Sequence, residues 1–167
     1  MILNPPFLYF REHQAGPVIP SQVSTENPWF SGEATVSTFS REEMLATKFR
    51  ALLQRDKGRD LFDLANAFTV FKDLDIERIV SLFRTYMDQS GQPITRAEAE
   101  QRMLAKMANP RALADLKPLL SADQAEEITE VFVSKAFENV FITLVHRLPG
   151  APWAKTGQIK ERLGCPW

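Results

Sequence analysis

Residues 40–64 of this 167-residue chain place a lysine among apolar positions and two aspartates shortly after it. At about 100° per residue, Lys48 falls inside the apolar arc of a predicted helix. The apolar members of that arc are Met44, Leu45, Phe49, Leu52 and Leu53. A lysine there must reach solvent along its stem, pair with a carboxylate, or face a polar ligand. The helical wheel alone favours the solvent-reaching side chain, whereas a ligand-facing ammonium could stabilise charge on phosphoryl oxygens.

Asp60 and Asp63 follow Gly58, which marks the start of a second predicted helix. In the first turn of a helix, negative charge interacts favourably with the helix dipole. The junction between the two helices also carries three cations, at Arg55, Lys57 and Arg59. These cations could hold a phosphate, or they could simply pair with the neighbouring aspartates. The residue types leave both interpretations open.

The order of these residues resembles the lysine and Arg-Asp-x-x-Asp-Leu motif of the AbiEii/AbiGii-type nucleotidyltransferase toxins. Here the motif consists of Lys48, Arg55 and the run from Arg59 to Leu64, which reads Arg-Asp-Leu-Phe-Asp-Leu. Residues 10–13 (Phe-Arg-Glu-His) and 26–32 (Glu-Asn-Pro-Trp-Phe-Ser-Gly) are similar to segments that precede the motif in the family. The resemblance covers residues 10–71, and beyond Phe71 the chain resembles the family only in being helical.

The resemblance implies a toxin of bacterial abortive-infection and type IV toxin–antitoxin pairs, with a polymerase-β-like nucleotidyltransferase fold followed by a helical domain. Such relatives bind a nucleoside triphosphate with Mg²⁺ and transfer a nucleotide to an acceptor, which for some is the 3′ end of tRNA. Carried onto this chain, Lys48 would contact the triphosphate and Asp63 would be the catalytic carboxylate of the helical part. Arg55, Arg59 and Asp60 are the further nucleotide-binding candidates.

The metal-binding motifs of the family, a Gly-Ser turn and an Asp-x-Asp strand, should precede the lysine. This chain contains no Gly-Ser dipeptide, and its Asp-x-Asp, Asp73-Leu74-Asp75, follows the lysine. Asp75 is instead predicted to cap the helix that begins at Ile76. We therefore expect no metal ligands here and no tightly bound cofactor. The expectation is a truncated AbiEii-like enzyme that is inactive alone.

A non-catalytic helical interaction protein is the alternative. Size-exclusion chromatography would discriminate, because half of a domain should aggregate, associate with itself or bind its missing N-terminal half. An independent module should instead elute as one defined species.

Composition is that of an ordinary globular protein, with 44% hydrophobic and 25% charged residues and a formal net charge of −1. Electrostatic attraction of the whole chain to nucleic acid is not indicated, so any RNA contact needs a local patch such as the Arg50–Arg59 region. The single cysteine, Cys165, excludes an intrachain disulfide and fits a reducing compartment. The first residues resemble neither a secretion signal nor a membrane span, so the predicted location is the cytoplasm.

The predicted fold class is α+β and mostly α, with short N-terminal strands followed by a helical bundle. Residues 1–39 would be the remnant of a nucleotidyltransferase sheet, with strands at Phe7–Glu12 and Glu33–Phe39. Residues 40–147 would form the helical domain that carries the motif, and residues 148–167 a tail with one short helix.

Helix starts are predicted from their capping residues, Ser40 with Glu43, Asp75, Thr95 with Glu98, and Ser121 with Gln124. The longest helical pattern runs from Ala122 to His146, and its wide apolar arc predicts either a central position in the bundle or an interface. The tail helix is predicted at Lys155–Leu163, ending at Gly164.

Overall fold

The computed structural model describes residues 15–55, 57–109, 129–165 and 167. Two strands precede the helices, which confirms the predicted fold class. The elements are β1 (Ile19–Asn27), β2 (Phe30–Thr38), α1 (Arg41–Gln54), α2 (Gly58–Val70), α3 (Ile76–Gln89), α4 (Arg96–Met107), α5 (Glu130–Thr143), a 3₁₀ turn (Val145–Arg147) and α6 (Thr156–Arg162). The predicted strand at Phe7–Glu12 and the predicted cap at Ser121 lie outside the described residues.

β1 and β2 form an antiparallel hairpin whose register runs from Ile19 opposite Thr38 to Asn27 opposite Phe30. The Asn27 side-chain oxygen accepts hydrogen bonds from the backbone N–H groups of the following turn at 3.0 Å, a turn-forming use of asparagine. The strand predicted at Glu33–Phe39 is thus found, but it begins earlier, at Phe30. Residues 19–27 were not predicted to be a strand, and Pro20 lies near the start of this strand. A proline is tolerated there because the strand is an edge strand.

The hairpin has one apolar and one polar face. Directly opposed residues of an antiparallel pair share a face, so the register places Ile19, Val23, Phe30 and Val36 together. All four are exposed. The polar residues Gln22, Glu26 and Glu33 lie on the other face. An antiparallel sheet normally packs one face against a core, and this apolar face is open to solvent.

α1 forms the centre of the helical part and packs mainly against α3 and α2. Its buried residues include Leu45, Phe49 and Leu52, and the Phe49 ring lies 4.4 Å from the Phe83 ring between centroids. Met44 was predicted to belong to the same arc but is 42% exposed. Met44 and Lys48 are one turn apart, and together they mark the edge of the buried arc.

The predicted helix caps are confirmed at two positions and partly at a third. Asp75 caps α3 through its side chain, and Thr95 with Glu98 forms a complete capping box at α4. At α1, the Ser40 hydroxyl accepts from the Glu43 N–H at 3.1 Å. The Glu43 carboxylate does not return to Ser40, so only half of the predicted box forms. The Glu43 carboxylate instead accepts hydrogen bonds from Ala15, Gly16 and Tyr86.

The C-terminal helix docks onto α4 through one buried carboxylate. Glu100 is fully buried and accepts hydrogen bonds from Arg96 Nε at 2.8 Å, Trp153 N at 2.8 Å and Thr156 Oγ1 at 2.5 Å. Trp153 also packs against the core. Burial by itself would raise the pKa of Glu100, but the hydrogen bonds from Thr156, Arg96 and Trp153 outweigh it, and the net pKa is lowered.

Replacing Glu100 with glutamine is expected to cost about 2 kcal/mol of unfolding free energy at pH 7. Because the folded-state pKa is below the ordinary value of 4.5, the carboxylate stabilises the fold above that pH and loses its effect as the pH falls through the folded-state pKa. Urea titrations at pH 7 and at successively lower pH should show the gap between wild type and variant narrowing. The exposed Glu161→Gln change is the control, and a gap that is constant with pH would contradict this prediction.

Candidate functional site

The short junction between α1 and α2 places the predicted site residues of the two helices at similar distances from the turn. Lys48 lies about 9 Å along the axis from the end of α1, and Asp63 lies about 7.5 Å from the start of α2, at 1.5 Å per residue. Only residues 55–57 separate the two helices. A tight helical turn therefore places the lysine beside the aspartate on the neighbouring helix.

Lys48 forms ion pairs with both aspartates of α2. Its Nζ lies 2.5 Å from Asp63 Oδ2 and 3.7 Å from Asp60 Oδ1. The Lys48 and Asp63 side chains are 39% and 41% exposed, whereas the Asp60 side chain is fully buried. Of the three possibilities for Lys48, pairing with a carboxylate is the one observed. The Lys48–Asp63 pair remains accessible to a ligand.

Asp60 belongs to an inner pair in which its own side chain is fully buried, whereas the Arg55 side chain is 45% exposed. Arg55 holds its carboxylate with two parallel hydrogen bonds, Nε to Oδ2 at 2.8 Å and Nη2 to Oδ1 at 2.9 Å. This bidentate geometry is among the strongest side-chain contacts in proteins. Lys106 of α4 donates to the Arg55 carbonyl oxygen at 2.8 Å. Together, the Arg55–Asp60 pair and the Lys106 hydrogen bond hold the helix junction against α4.

Arg59 lies apart from this network, on the exposed face of α2. Within the part of the chain that the structure describes, neither Arg59 nor Lys57 makes a side-chain hydrogen bond or ion pair. Four of the five predicted residues, Lys48, Arg55, Asp60 and Asp63, are thus in one network. Their roles toward a nucleotide remain predictions.

Two further features of the structure were not identified from the sequence. The first is an aromatic pair: the Phe62 ring, next to Asp63 in the chain, lies 6.0 Å from the Phe132 ring of α5 between centroids. Phe132 is 39% exposed, and the preceding Val131 is 77% exposed. The apolar arc of α5 signalled a buried helix, and it gave no reason to expect an open ring at this end.

The second feature is the buried carboxylate of Glu43. Its Oε1 accepts hydrogen bonds from the backbone N–H groups of Ala15 and Gly16, both at 3.1 Å, and from the Tyr86 hydroxyl at 2.5 Å. Burial, followed by the bond to Glu43, raises the pKa of Tyr86 to about 12, so the hydroxyl stays a proton donor at neutral pH. Glu43 therefore fixes the segment before the hairpin against α1 and α3.

The described residues do not fit a resident Mg²⁺. Among them, no group of three or more His, Cys, Asp or Glu side chains is arranged to hold a metal. Asp75 caps α3 and Asp73 pairs with Arg41 at 3.4 Å. The carboxylates of Asp60 and Asp63 already face cations, which would compete with a metal ion.

A family model described as "Nucleotidyl transferase AbiEii toxin, Type IV TA system" matches residues 8–142, most of the chain. The chain belongs to this family. The AbiEii match continues well past Phe71, where the sequence motifs end, and includes the α3, α4 and α5 helices. No curated protein and no solved structure shows significant similarity to the chain. Within its described part, no helix has the length and apolar character needed to cross a membrane.

The AbiEii family assignment makes this protein a nucleotidyltransferase toxin of the type IV toxin–antitoxin class. The lysine and the Arg-Asp-x-x-Asp-Leu motif that suggested the family lie within the matched region.

Proposed function

We propose that this chain supplies the triphosphate-facing helical side of an AbiEii nucleotidyl transfer site. Lys48 would contact the triphosphate, and Asp63 would be the carboxylate of the helical part. The observation that carries the proposal is the half-exposed Lys48–Asp63 pair. The α1–α2 junction places these two residues side by side. Arg59 would add a second cation for phosphate oxygens, because no described residue pairs with it.

The chemistry needs positive charge that is already in place when the phosphoryl group reacts. Nucleotidyl transfer forms a bond from the acceptor oxygen to the α-phosphorus and breaks the bond to pyrophosphate, so negative charge develops on phosphoryl oxygens. A fixed ammonium stabilises that charge without reorganisation. The carboxylates of Asp60 and Asp63 hold the Lys48 ammonium in position before a ligand arrives. Arg55 and Asp60 act as positioning residues.

We further propose that the metal-binding carboxylates come from a separate polypeptide segment. The 167 residues contain no Gly-Ser dipeptide, and their Asp-x-Asp is used to cap a helix. The chain alone would then be inactive, in the cytoplasm, with tRNA as the candidate acceptor and an antitoxin as partner. Incubation with Mg²⁺, labelled triphosphates and total tRNA should give no transfer, and clear transfer would refute an external metal site.

Replacing Lys48 with glutamine is expected to weaken binding of inorganic tripolyphosphate about tenfold or more, because one charge-assisted hydrogen bond contributes about 1.5–3 kcal/mol. Titration calorimetry without divalent cations measures this directly. Lys72→Gln is the matched control, since Lys72 is exposed beyond the far end of α2. Equal weakening by both changes would mean that tripolyphosphate senses only net charge, and the proposed role of Lys48 would be wrong.

One observation favours the alternative of a helical interaction protein, namely the exposed apolar face of the hairpin formed by Ile19, Val23, Phe30 and Val36. Exposed apolar faces of this kind are typical of contact surfaces. Under this alternative, Lys48→Gln would leave tripolyphosphate binding unchanged. Size-exclusion chromatography would show one defined species, whose size would depend on Phe30 if that face mediates self-association.

A further inference from the structure

A surface strip beside the Lys48–Asp63 pair combines an open aromatic ring with exposed cations. We name it the α2–α5 strip, and it consists of Arg59, Phe62, Phe132 and Lys135. Arg59 is three residues before Phe62 and four before Asp63, so all three lie on the same side of α2. Lys135 is one turn after Phe132 on α5 and is exposed.

The two aromatic rings of the strip are only partly buried. The Phe62 ring lies 6.0 Å from Phe132 at an interplanar angle of 44°. Phe132 nevertheless keeps 39% of its surface exposed. Phe62 is partly buried. An aromatic side chain that only filled a gap between helices would have been expected to bury more of its surface.

We propose that the α2–α5 strip is the nucleobase subsite, with the base stacked on Phe132 and the triphosphate extending to Arg59 and Lys48. This inference rests on the function proposed above and adds the position of the base. α2 packs against both α1 and α5. Phe132 meets Phe62 and Lys48 meets Asp63, so the ring and the ammonium adjoin consecutive residues of α2.

Charge and chemistry both favour a nucleotide as the occupant. The strip offers two exposed cations, Arg59 and Lys135, for the phosphates and an aromatic face for the base. Stacking of a base on an aromatic side chain contributes about 1–3 kcal/mol and tolerates every base. Because Phe132 would contact the face of the base and not its hydrogen-bonding edges, the four nucleoside triphosphates should bind with similar affinity.

The test compares ATP with inorganic tripolyphosphate, which carries the phosphate chain without a base. Both ligands are titrated into the full chain without divalent cations. Phe132→Leu keeps an apolar contact for Phe62 but removes the aromatic face. We expect this change to weaken ATP binding by about 5-fold to 160-fold, from the stacking range of about 1–3 kcal/mol, and to leave tripolyphosphate binding unchanged. Phe132→Tyr should behave as wild type.

Val131→Ala is the matched control, because Val131 is the more exposed neighbour on the same turn. Unchanged urea midpoints for all variants would show that the fold is intact. If wild type binds ATP and tripolyphosphate equally well, or if Phe132→Leu binds ATP normally, the base subsite is wrong while the triphosphate contact stands. If wild type binds neither ligand, the subsite and the proposed function both fail.

Discussion

Replacing Asp60 with asparagine is expected to lower the free energy of unfolding by about 3 kcal/mol, because the buried carboxylate gives up charge-assisted hydrogen bonds that contribute about 1.5–3 kcal/mol each. Asp60 is fully buried and accepts two hydrogen bonds from Arg55. The asparagine has the same shape, but its amide would turn a donor toward the Arg55 guanidinium. The melting temperature should fall by about 6–12 °C, at 2–4 °C per kcal/mol for a chain of this size.

Asp63→Asn provides the matched control. Asp63 also faces Lys48, but both side chains of that pair are about 40% exposed. Pairs that are open to solvent contribute about 0–1 kcal/mol, so this variant should stay close to wild type in urea unfolding followed by circular dichroism. Equal losses for the two variants would contradict the division into an inner pair and an accessible pair. Destabilisation by Asp63→Asn alone would mean that the Lys48–Asp63 pair, and not the Arg55–Asp60 pair, stabilises the fold.

This division explains why neighbouring acidic residues of one motif can have different uses. Asp60 is fully buried, and both of its carboxylate oxygens accept hydrogen bonds from Arg55 while Oδ1 also lies 3.7 Å from Lys48 Nζ. Asp63 is placed three residues later, on the rim, and meets only the Lys48 ammonium among the described contacts. A ligand could displace Asp63 from Lys48 without exposing a buried charge. The inner pair can therefore keep the junction rigid while the outer pair exchanges partners.

The meeting of Lys48 and Asp63 is the kind of contact that a sequence can predict. Both residues lie within two turns of one short junction, and helix geometry fixes their positions from local information alone. The caps at Asp75 and Thr95 were predictable for the same reason. The buried arc of α1 was predicted correctly except at Met44, where the boundary of burial depends on the neighbouring elements.

The features that sequence reasoning missed depend on distant partners. The Glu43 carboxylate bonds to Gly16, Ala15 and Tyr86, which are separated from it by 27, 28 and 43 positions in the sequence. Its local capping pattern with Ser40 had predicted a simpler role at the start of α1. β1 was missed, and its pairing with β2 from Ile19 to Asn27 defines it in the structure. The pairing of Phe62 with Phe132 joins two helices that are far apart in the chain. No local pattern at Phe132 distinguishes an open ring from a buried one.

Replacing Glu43 with alanine is expected to lower the free energy of unfolding by about 3 kcal/mol, because two backbone N–H groups and the Tyr86 hydroxyl would each lose a partner at about 1 kcal/mol or more. Tyr86→Phe should cost about 1 kcal/mol, and the double variant should be less destabilised than the sum of the two. Urea unfolding of the four proteins measures this coupling, and strictly additive losses would contradict the proposed contact.

Gly16→Ala tests the same anchor from the other side. A Cβ at position 16 would lie 2.5 Å from Glu43 Oε2, so the carboxylate or the backbone must move. Hydrogen exchange at Ala15 and Gly16 should accelerate in Gly16→Ala and in Glu43→Ala, while the core of α1 stays protected. Lys48 follows Glu43 by more than one turn and is held by α2. Both variants should therefore bind tripolyphosphate as wild type does, and weakened binding would show that the segment before the hairpin helps to shape the phosphate site.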